Sequence, residues 1–67
     1  MRFVIENKAG AELGIMLEPW CNRVDVRPGG KAQIEFDPDE TDVQIDMHDE
    51  TFLSVWVPPG AKLKLRD

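Results

Sequence analysis

The fold is decided by the stretch Arg23-Val24-Asp25-Val26-Arg27-Pro28-Gly29-Gly30, in which polar and apolar residues alternate strictly until a proline and two glycines follow. Alternation with period two is what a β-strand needs when one of its faces is buried and the other is in water. Proline at the second position of a turn and glycine at the third are typical of a type II turn. The stretch therefore predicts a strand that ends in a tight turn.

The same pattern recurs along the chain. Residues 62–66 alternate as strictly as residues 23–27, and Val57-Pro58-Pro59-Gly60 repeats the turn arrangement before them. The segment His48-Asp49-Glu50 is a short polar link between two apolar runs. We therefore predict three hairpins, which join strands three and four, five and six, and six and seven. Residues 18–22 and 37–41 are predicted to be longer corners where the chain crosses between sheets.

Seven short runs have the period of a strand, and none has the 3.6-residue period of a helix. We predict at least six strands and no helix longer than one turn. The predicted strands are residues 2–6, 13–18, 23–27, 32–36, 42–47, 52–57 and 62–66.

Sixty-seven residues provide one core, so the whole chain, residues 1–67, is predicted to be a single all-β domain. Seven strands in one open sheet would leave its apolar face uncovered. We therefore predict a small two-sheet β-sandwich of about seven short antiparallel strands, in outline like a shortened immunoglobulin or cupredoxin sandwich, with a small closed β-barrel as the alternative. The predicted core comprises Phe3, Ile5, Leu13, Ile15, Leu17, Val24, Val26, Ile34, Phe36, Val43, Ile45, Met47, Leu53, Val55, Val57, Leu63 and Leu65.

Charge and composition exclude several classes of function. The net charge is −5, and residues 35–50 contain eight acids and no lysine or arginine. Nucleic-acid binding depends on cations that contact phosphates, so we predict no nucleic-acid partner. No apolar segment is long enough for a membrane span or a signal peptide, and no membrane association is predicted. The single cysteine and the Met1 start favour a complete cytoplasmic protein.

Metal and nucleophile chemistry have few candidate residues. Cys21 and His48 are the only cysteine and histidine, so a blue copper site, which requires two imidazoles, is excluded by counting. A thiolate activated by His48 remains as a weak alternative. No cofactor or specific small molecule is predicted.

The acidic residues provide two further alternatives. Asp37 and Asp39 have the spacing of the first calcium ligands of an EF-hand, but Asp42 and His48 stand where that loop needs glycine and glutamate. Weak binding of a divalent cation by the acidic loop at 37–42 stays open. Glu35 and Asp46 could form a glycosidase-like carboxylate pair only if their strands lay in one sheet. We interpret these acids as solvated surface residues.

The sixth predicted strand, residues 52–57, is apolar on both faces. Because side chains alternate along a strand, Leu53, Val55 and Val57 cannot share a face with Phe52 and Trp56. We predict that the aliphatic residues enter the core and that Phe52 and Trp56 point outward. Large outward aromatics are enriched at protein interfaces, whereas a loop that folds over the strand would instead bury them.

The sequence therefore favours a non-enzymatic protein-interaction module or a small homo-oligomeric β-domain, with Phe52 and Trp56 in the contact surface and either another protein or a second copy as the partner. The alternative is a weak divalent-metal-binding protein or a minor enzyme that uses Cys21, His48 and the acidic loop.

Overall fold

A computed structural model describes residues 1–37, 39 and 43–66, and these residues form seven strands and no helix. The predicted all-β class and number of strands are confirmed. The strands are β1 (Arg2–Glu6), β2 (Leu13–Glu18), β3 (Asn22–Val26), β4 (Lys31–Glu35), β5 (Gln44–Asp49), β6 (Phe52–Trp56) and β7 (Lys62–Arg66). The predicted start of the fifth strand, at Asp42, lies outside the described residues.

The strands form two sheets, one of three strands in the order β1-β4-β7 and one of four in the order β3-β2-β6-β5. The sheets do not close into a barrel, so the predicted sandwich is confirmed and the barrel alternative is wrong. Five strand pairs build the two sheets, and four of them are antiparallel. The fifth, β2 with β6, is parallel, which the prediction of an antiparallel sandwich did not include.

The predicted hairpins are corrected by the pairing. Of the three predicted hairpins, the structure has the one between β5 and β6, whereas the links from β3 to β4 and from β6 to β7 cross between the two sheets. Residues 18–22, predicted as a corner, instead lead directly from β2 into its antiparallel partner β3. The turn at Gly29 has the predicted type II features, with a φ of 82° and a hydrogen bond from Gly30 N to Arg27 O of 2.9 Å. Type II turns splay their flanking strands, which explains why the chain changes sheet there.

The second proline-rich turn is shifted by one residue from the predicted position. Ala61 N donates to Pro58 O at 3.3 Å, and Gly60, with a φ of 86°, occupies the third position. Pro59 is therefore the second residue of this turn, where its fixed φ is favourable.

The core lies between the two sheets and consists of inward-facing residues from both. Its buried members are Leu13, Ile15, Leu17, Val26, Ala32, Ile34, Phe36, Leu53, Val55 and Val57, with Phe3, Ile5, Val24, Val43, Ala61 and Leu63 packed against them. The prediction of the core is wrong for three residues: Ile45, Met47 and Leu65 are 48%, 64% and 53% exposed. They face the same side as the core residues, but on the edge strands β5 and β7 the opposite sheet does not cover them, as it does the inward residues of the edge strands β1 and β3.

Asn7 fixes the end of β1 to two neighbouring segments. The side chain is only 2% exposed, and its Nδ2 donates to Ala11 O at 2.8 Å and to Val26 O at 2.9 Å. Its Oδ1 accepts a hydrogen bond of 2.9 Å from Ala9 N. A buried side-chain amide stabilises the fold when its nitrogen and its oxygen both have hydrogen-bond partners, whereas an unpaired buried amide would destabilise the fold.

No helix within residues 1–37, 39 and 43–66 is long and apolar enough to cross a membrane.

Candidate functional site

The outward face of the four-stranded sheet carries the two aromatic residues predicted for an interaction surface. Along β6, Leu53 and Val55 are buried in the core, and Val57 just beyond the strand is also buried. Phe52, Ser54 and Trp56 have the opposite parity and point outward, so the predicted alternation is confirmed. We call the surrounding region the Trp56 surface, which comprises Trp56, Phe52, Ser54, His48, Gln44 and Glu18.

Trp56 is the most exposed aromatic residue of this surface. It is 43% exposed, and its neighbours across the sheet are Glu18 of β2 and Gln44 of β5. One oxygen of the Glu18 carboxylate, Oε1, is buried and has no hydrogen-bond partner among the described residues. An indole ring therefore lies beside a carboxylate, one oxygen of which is enclosed by the domain itself.

Phe52 lies on the same face but is partly buried by two other side chains of the domain. The Arg23 guanidinium carbon lies 5.0 Å from the centre of the Phe52 ring. The His48 ring stacks on Phe52 with centroids 5.2 Å apart and planes 26° apart. The contact with Arg23 is a cation–π interaction, which holds the ring in place on the sheet surface. Of the two predicted residues, Trp56 is therefore the one more available to a partner.

Gly14 creates the space for this arrangement. It is paired with Phe52 in the parallel ladder, and a Cβ at this position would lie 2.6 Å from Arg23 Nη2 and 3.0 Å from Phe52 Cδ1. Any larger residue would displace the Arg23 side chain from the Phe52 ring, because both distances are shorter than van der Waals contact. Gly14 of β2 thus permits Arg23 of β3 to lie over the Phe52 ring of β6, although β2 lies between these two strands.

Ser54 and His48 form a contact that the sequence did not indicate. A register shift between Met47 and Asp49 gives β5 an extra residue, and the His48 ring lies over β6. Its Nε2 is 2.7 Å from Oγ of the buried Ser54. Spacing in the sequence gives little sign of this pair, because a bulge changes which residues face each other.

The Ser54–His48 pair lacks the third group of a catalytic triad. In such a triad a carboxylate orients the histidine through its other ring nitrogen. No carboxylate in the described part of the chain hydrogen-bonds to His48, and nearby Asp49 instead accepts hydrogen bonds from Thr51 N (2.7 Å) and Thr51 Oγ1 (2.9 Å). The hydrogen bond from the Thr51 backbone is the main reason that the pKa of Asp49 is lowered. The geometry thus supports a structural role for the pair, which fixes the bulge to β6.

Cys21 lies at the opposite end of the four-stranded sheet from His48. It is an exposed residue of the turn between β2 and β3, with a φ of 57°. Since β2 and β6 are parallel and Glu18 pairs with Trp56, Cys21 lies near the end of β6, whereas His48 lies near its beginning. Four residues of strand separate these ends by ~13 Å. The structure therefore does not bring the thiol and the imidazole together.

The ionisation of Cys21 also opposes nucleophilic chemistry. A hydrogen bond with the Glu18 side chain, followed by the negative charge of Glu18, raises the pKa of the thiol. Since the thiolate is the reactive form, Glu18 makes Cys21 less nucleophilic at neutral pH.

The acidic candidates are also separated by the fold. Glu35 lies on the outward face of the three-stranded sheet and Asp46 on the outward face of the four-stranded sheet, so they do not form a carboxylate pair. In the acidic loop, Asp39 N donates to Asp37 Oδ1 at 2.9 Å, and the remaining predicted ligand at position 42 lies outside the described residues. Within the described ranges, no three His, Cys, Asp or Glu side chains are grouped to hold a metal ion.

The outward face of the three-stranded sheet is strongly basic, which the sequence analysis missed. Strand pairing places five cations and two acids on this face: Arg2, Lys31, Lys62, Lys64 and Arg66, with Glu6 and Glu35. Gln33 is buried at its centre, where its amide donates to Glu35 and accepts from Arg66 Nη1 at 2.9 Å. Residues distant in sequence thus form one positive surface on a protein of negative net charge.

Comparison with models of protein families, with curated proteins and with solved structures gives no match to this chain.

Proposed function

We propose that this protein is a non-enzymatic interaction domain that binds a partner protein through the Trp56 surface. The observation that carries the proposal is Trp56 itself, a large indole that is 43% exposed on a sheet face. Tryptophan is enriched among the residues that dominate binding energy, because it buries a large area at a small cost in conformational entropy.

The surroundings of Trp56 indicate the chemistry of the partner. Glu18 lies beside the indole in the parallel ladder and brings a negative charge to this part of the sheet. Asp46 is a further acid on the same face of the sheet. The charge of Arg23 is already offset by Asp25 at 3.2 Å, so the face around Trp56 is negative.

A partner that presents an arginine or a lysine fits this arrangement. Its aliphatic stem would pack on the indole, its cation would lie against the π face, and its positive charge would be attracted by the nearby Glu18 carboxylate. An acidic partner segment would instead be repelled by Glu18 and Asp46. We therefore expect the bound protein to carry a basic side chain at the centre of its contact.

The test compares three immobilised forms of the protein in an extract of source cells. Trp56→Ala removes the indole, and Val4→Ala is the matched control, because Val4 is also an exposed apolar residue but lies on the outward face of the other sheet. A partner retained by the wild type and by Val4→Ala but lost from Trp56→Ala is then purified and titrated. We expect Trp56→Ala to weaken its binding by about 30-fold or more, as for other central tryptophans.

Binding by the protein that keeps Trp56 can be followed by fluorescence in a Trp20→Phe background, in which Trp56 is the only tryptophan, and binding by Trp56→Ala is measured by calorimetry. Added salt should weaken the complex because the basic contact is electrostatic. A partner that binds Trp56→Ala and the wild type equally, with both proteins folded, would overturn the proposal.

A further inference from the structure

The four edge strands of the sandwich differ in how well their inward side chains are covered. On β1 and β3, the inward apolar residues are buried or partly buried. On β5, Ile45 and Met47 are 48% and 64% exposed, and on β7 Leu65 is 53% exposed. β5 and β7 are thus the two edges whose apolar face is left open to water.

The same two edges differ in charge. All three outward residues of β7 are cations: Lys62, Lys64 and Arg66. The outward face of β5 has Asp46 at its centre, and the strand ends at a second acid, Asp49.

The other two edges mix their signs. β1 carries Arg2 and Glu6 on its outward face. β3 carries Arg23 and Asp25, which already form an ion pair with each other. Only β5 and β7 therefore present an edge of one predominant sign.

We propose that β5 of one molecule pairs with β7 of a second copy, so that the four-stranded sheet of one molecule continues into the three-stranded sheet of the next. Of the three pairings that these open edges allow, β7 with β7 would oppose cations and β5 with β5 would oppose acids. Like charges placed opposite each other destabilise a strand pair. The pairing of β5 with β7 brings opposite charges together.

The alternation of β7 matches that of β5 over residues 44–47, before the bulge at His48. Asp46 and Lys64 are the central outward residues of their strands, so they face each other whether the strands run parallel or antiparallel. The inward residues Ile45 and Met47 then lie beside Leu65, and all three exposed apolar side chains lose contact with water. The core of one molecule thereby becomes continuous with the core of the other.

The contact is heterologous, since different surfaces of the two copies meet. Its regular part is limited to residues 44–47 of β5, before the bulge, and is smaller than a standard protein interface. We therefore expect weak, salt-sensitive association. It uses the strand edges rather than Trp56, so it does not depend on the proposed function.

The experiment is sedimentation of purified protein over a range of concentrations at low and high salt. The wild type should associate as concentration rises, and Asp46→Lys and Lys64→Glu should each weaken the association by at least about tenfold. An equimolar mixture of these two variants should associate again, because each supplies the charge that the other has reversed. Lys31→Glu is the control, since it makes the same change of charge on the central strand β4.

A wild type that stays monomeric at every concentration would overturn the proposal. So would variants that associate as the wild type does, or a mixture that stays monomeric. Trp56→Ala should leave the association unchanged, and this separates self-association from binding through the Trp56 surface. Far-ultraviolet circular dichroism and urea unfolding verify that each variant is folded.

Discussion

Replacement of Asn7 by alanine should strongly destabilise the domain, because the buried side chain makes three hydrogen bonds. The amide makes three hydrogen bonds, two from Nδ2 to the carbonyls of Ala11 and Val26 and one to Oδ1 from Ala9 N. Alanine removes all three and leaves the Val26 carbonyl without this buried partner. At about 1 kcal/mol for each hydrogen bond, the loss is about 3 kcal/mol.

This loss is large for so small a protein. At roughly 0.05–0.15 kcal/mol per residue, a domain of this length has a free energy of unfolding of roughly 3–10 kcal/mol. Urea unfolding followed by tryptophan fluorescence should show a midpoint for Asn7→Ala that is lower by ~3 M, since small proteins have slopes near ~1 kcal/mol/M. Lys8→Ala, at an exposed neighbour, is the control and should change the free energy by less than about 0.5 kcal/mol.

Asn7→Asp tests the direction of the hydrogen bonds. Aspartate keeps the acceptor for Ala9 but places a carboxylate oxygen against two carbonyl oxygens, so at pH 7 we expect at least as large a loss as in alanine. Protonation of the carboxyl below pH ~4 provides one donor and should reduce the difference from the wild type. The reasoning is refuted if Asn7→Ala costs less than about 1 kcal/mol, or if Asn7→Asp is as stable as the wild type at pH 7.

Three further predictions concern turns and ionisation. Gly29→Ala should destabilise by about 1 kcal/mol in urea unfolding through its positive φ alone, since a Cβ there meets no atom within 4 Å; an unchanged midpoint would contradict this. Asp49→Asn should be less stable than the wild type at pH 7 but not at pH 2. Because the pKa of Asp49 is lowered, its carboxylate stabilises the folded protein above the unfolded pKa of ~3.9, and this stabilisation is lost as pH falls through the folded pKa. A difference in stability between Asp49→Asn and the wild type that does not change with pH would contradict the charged hydrogen bond to Thr51. Glu18→Gln should lower the pKa of Cys21 and accelerate its alkylation by iodoacetamide at pH 8, whereas an unchanged rate would show that Glu18 does not control the thiol.

The sequence predicts the strands well because strand formation depends on local alternation. Residues 2–6 and 13–18 were predicted with the bounds that the structure has, and the outward position of Trp56 follows from parity. The assignment of strands to sheets is not local. A proline–glycine turn indicates where the chain reverses but not whether its flanking strands pair, and the parallel contact of β2 with β6 joins segments far apart in sequence.

The residues of the candidate surfaces also differ in whether the sequence alone could predict their positions. Trp56 could be predicted from one strand, whereas the stack of Arg23, Phe52 and His48 depends on three strands and on Gly14 between them. The exposure of Ile45 and Met47 could not be read from alternation, because an inward side chain is buried only if the opposite sheet extends over it. Burial depends on how the two sheets overlap, whereas the sequence pattern indicates only which face of a strand a side chain occupies.

The basic outward face of the three-stranded sheet gives the molecule an electric dipole. Net charge governs repulsion between distant ions, but beyond a Debye length of about 8 Å this repulsion is screened at physiological salt. At shorter range, the electrostatic attraction or repulsion at a charged surface depends on the charges of the protein face that is turned toward it. A protein with a sequence pI near 4.7 should therefore be retarded on a cation exchanger at neutral pH and an ionic strength of about 0.1 M, with Lys62, Lys64 and Arg66 toward the resin. At that salt the Debye length of about 10 Å is shorter than any dimension of the molecule, so the resin interacts mainly with the face that is turned to it.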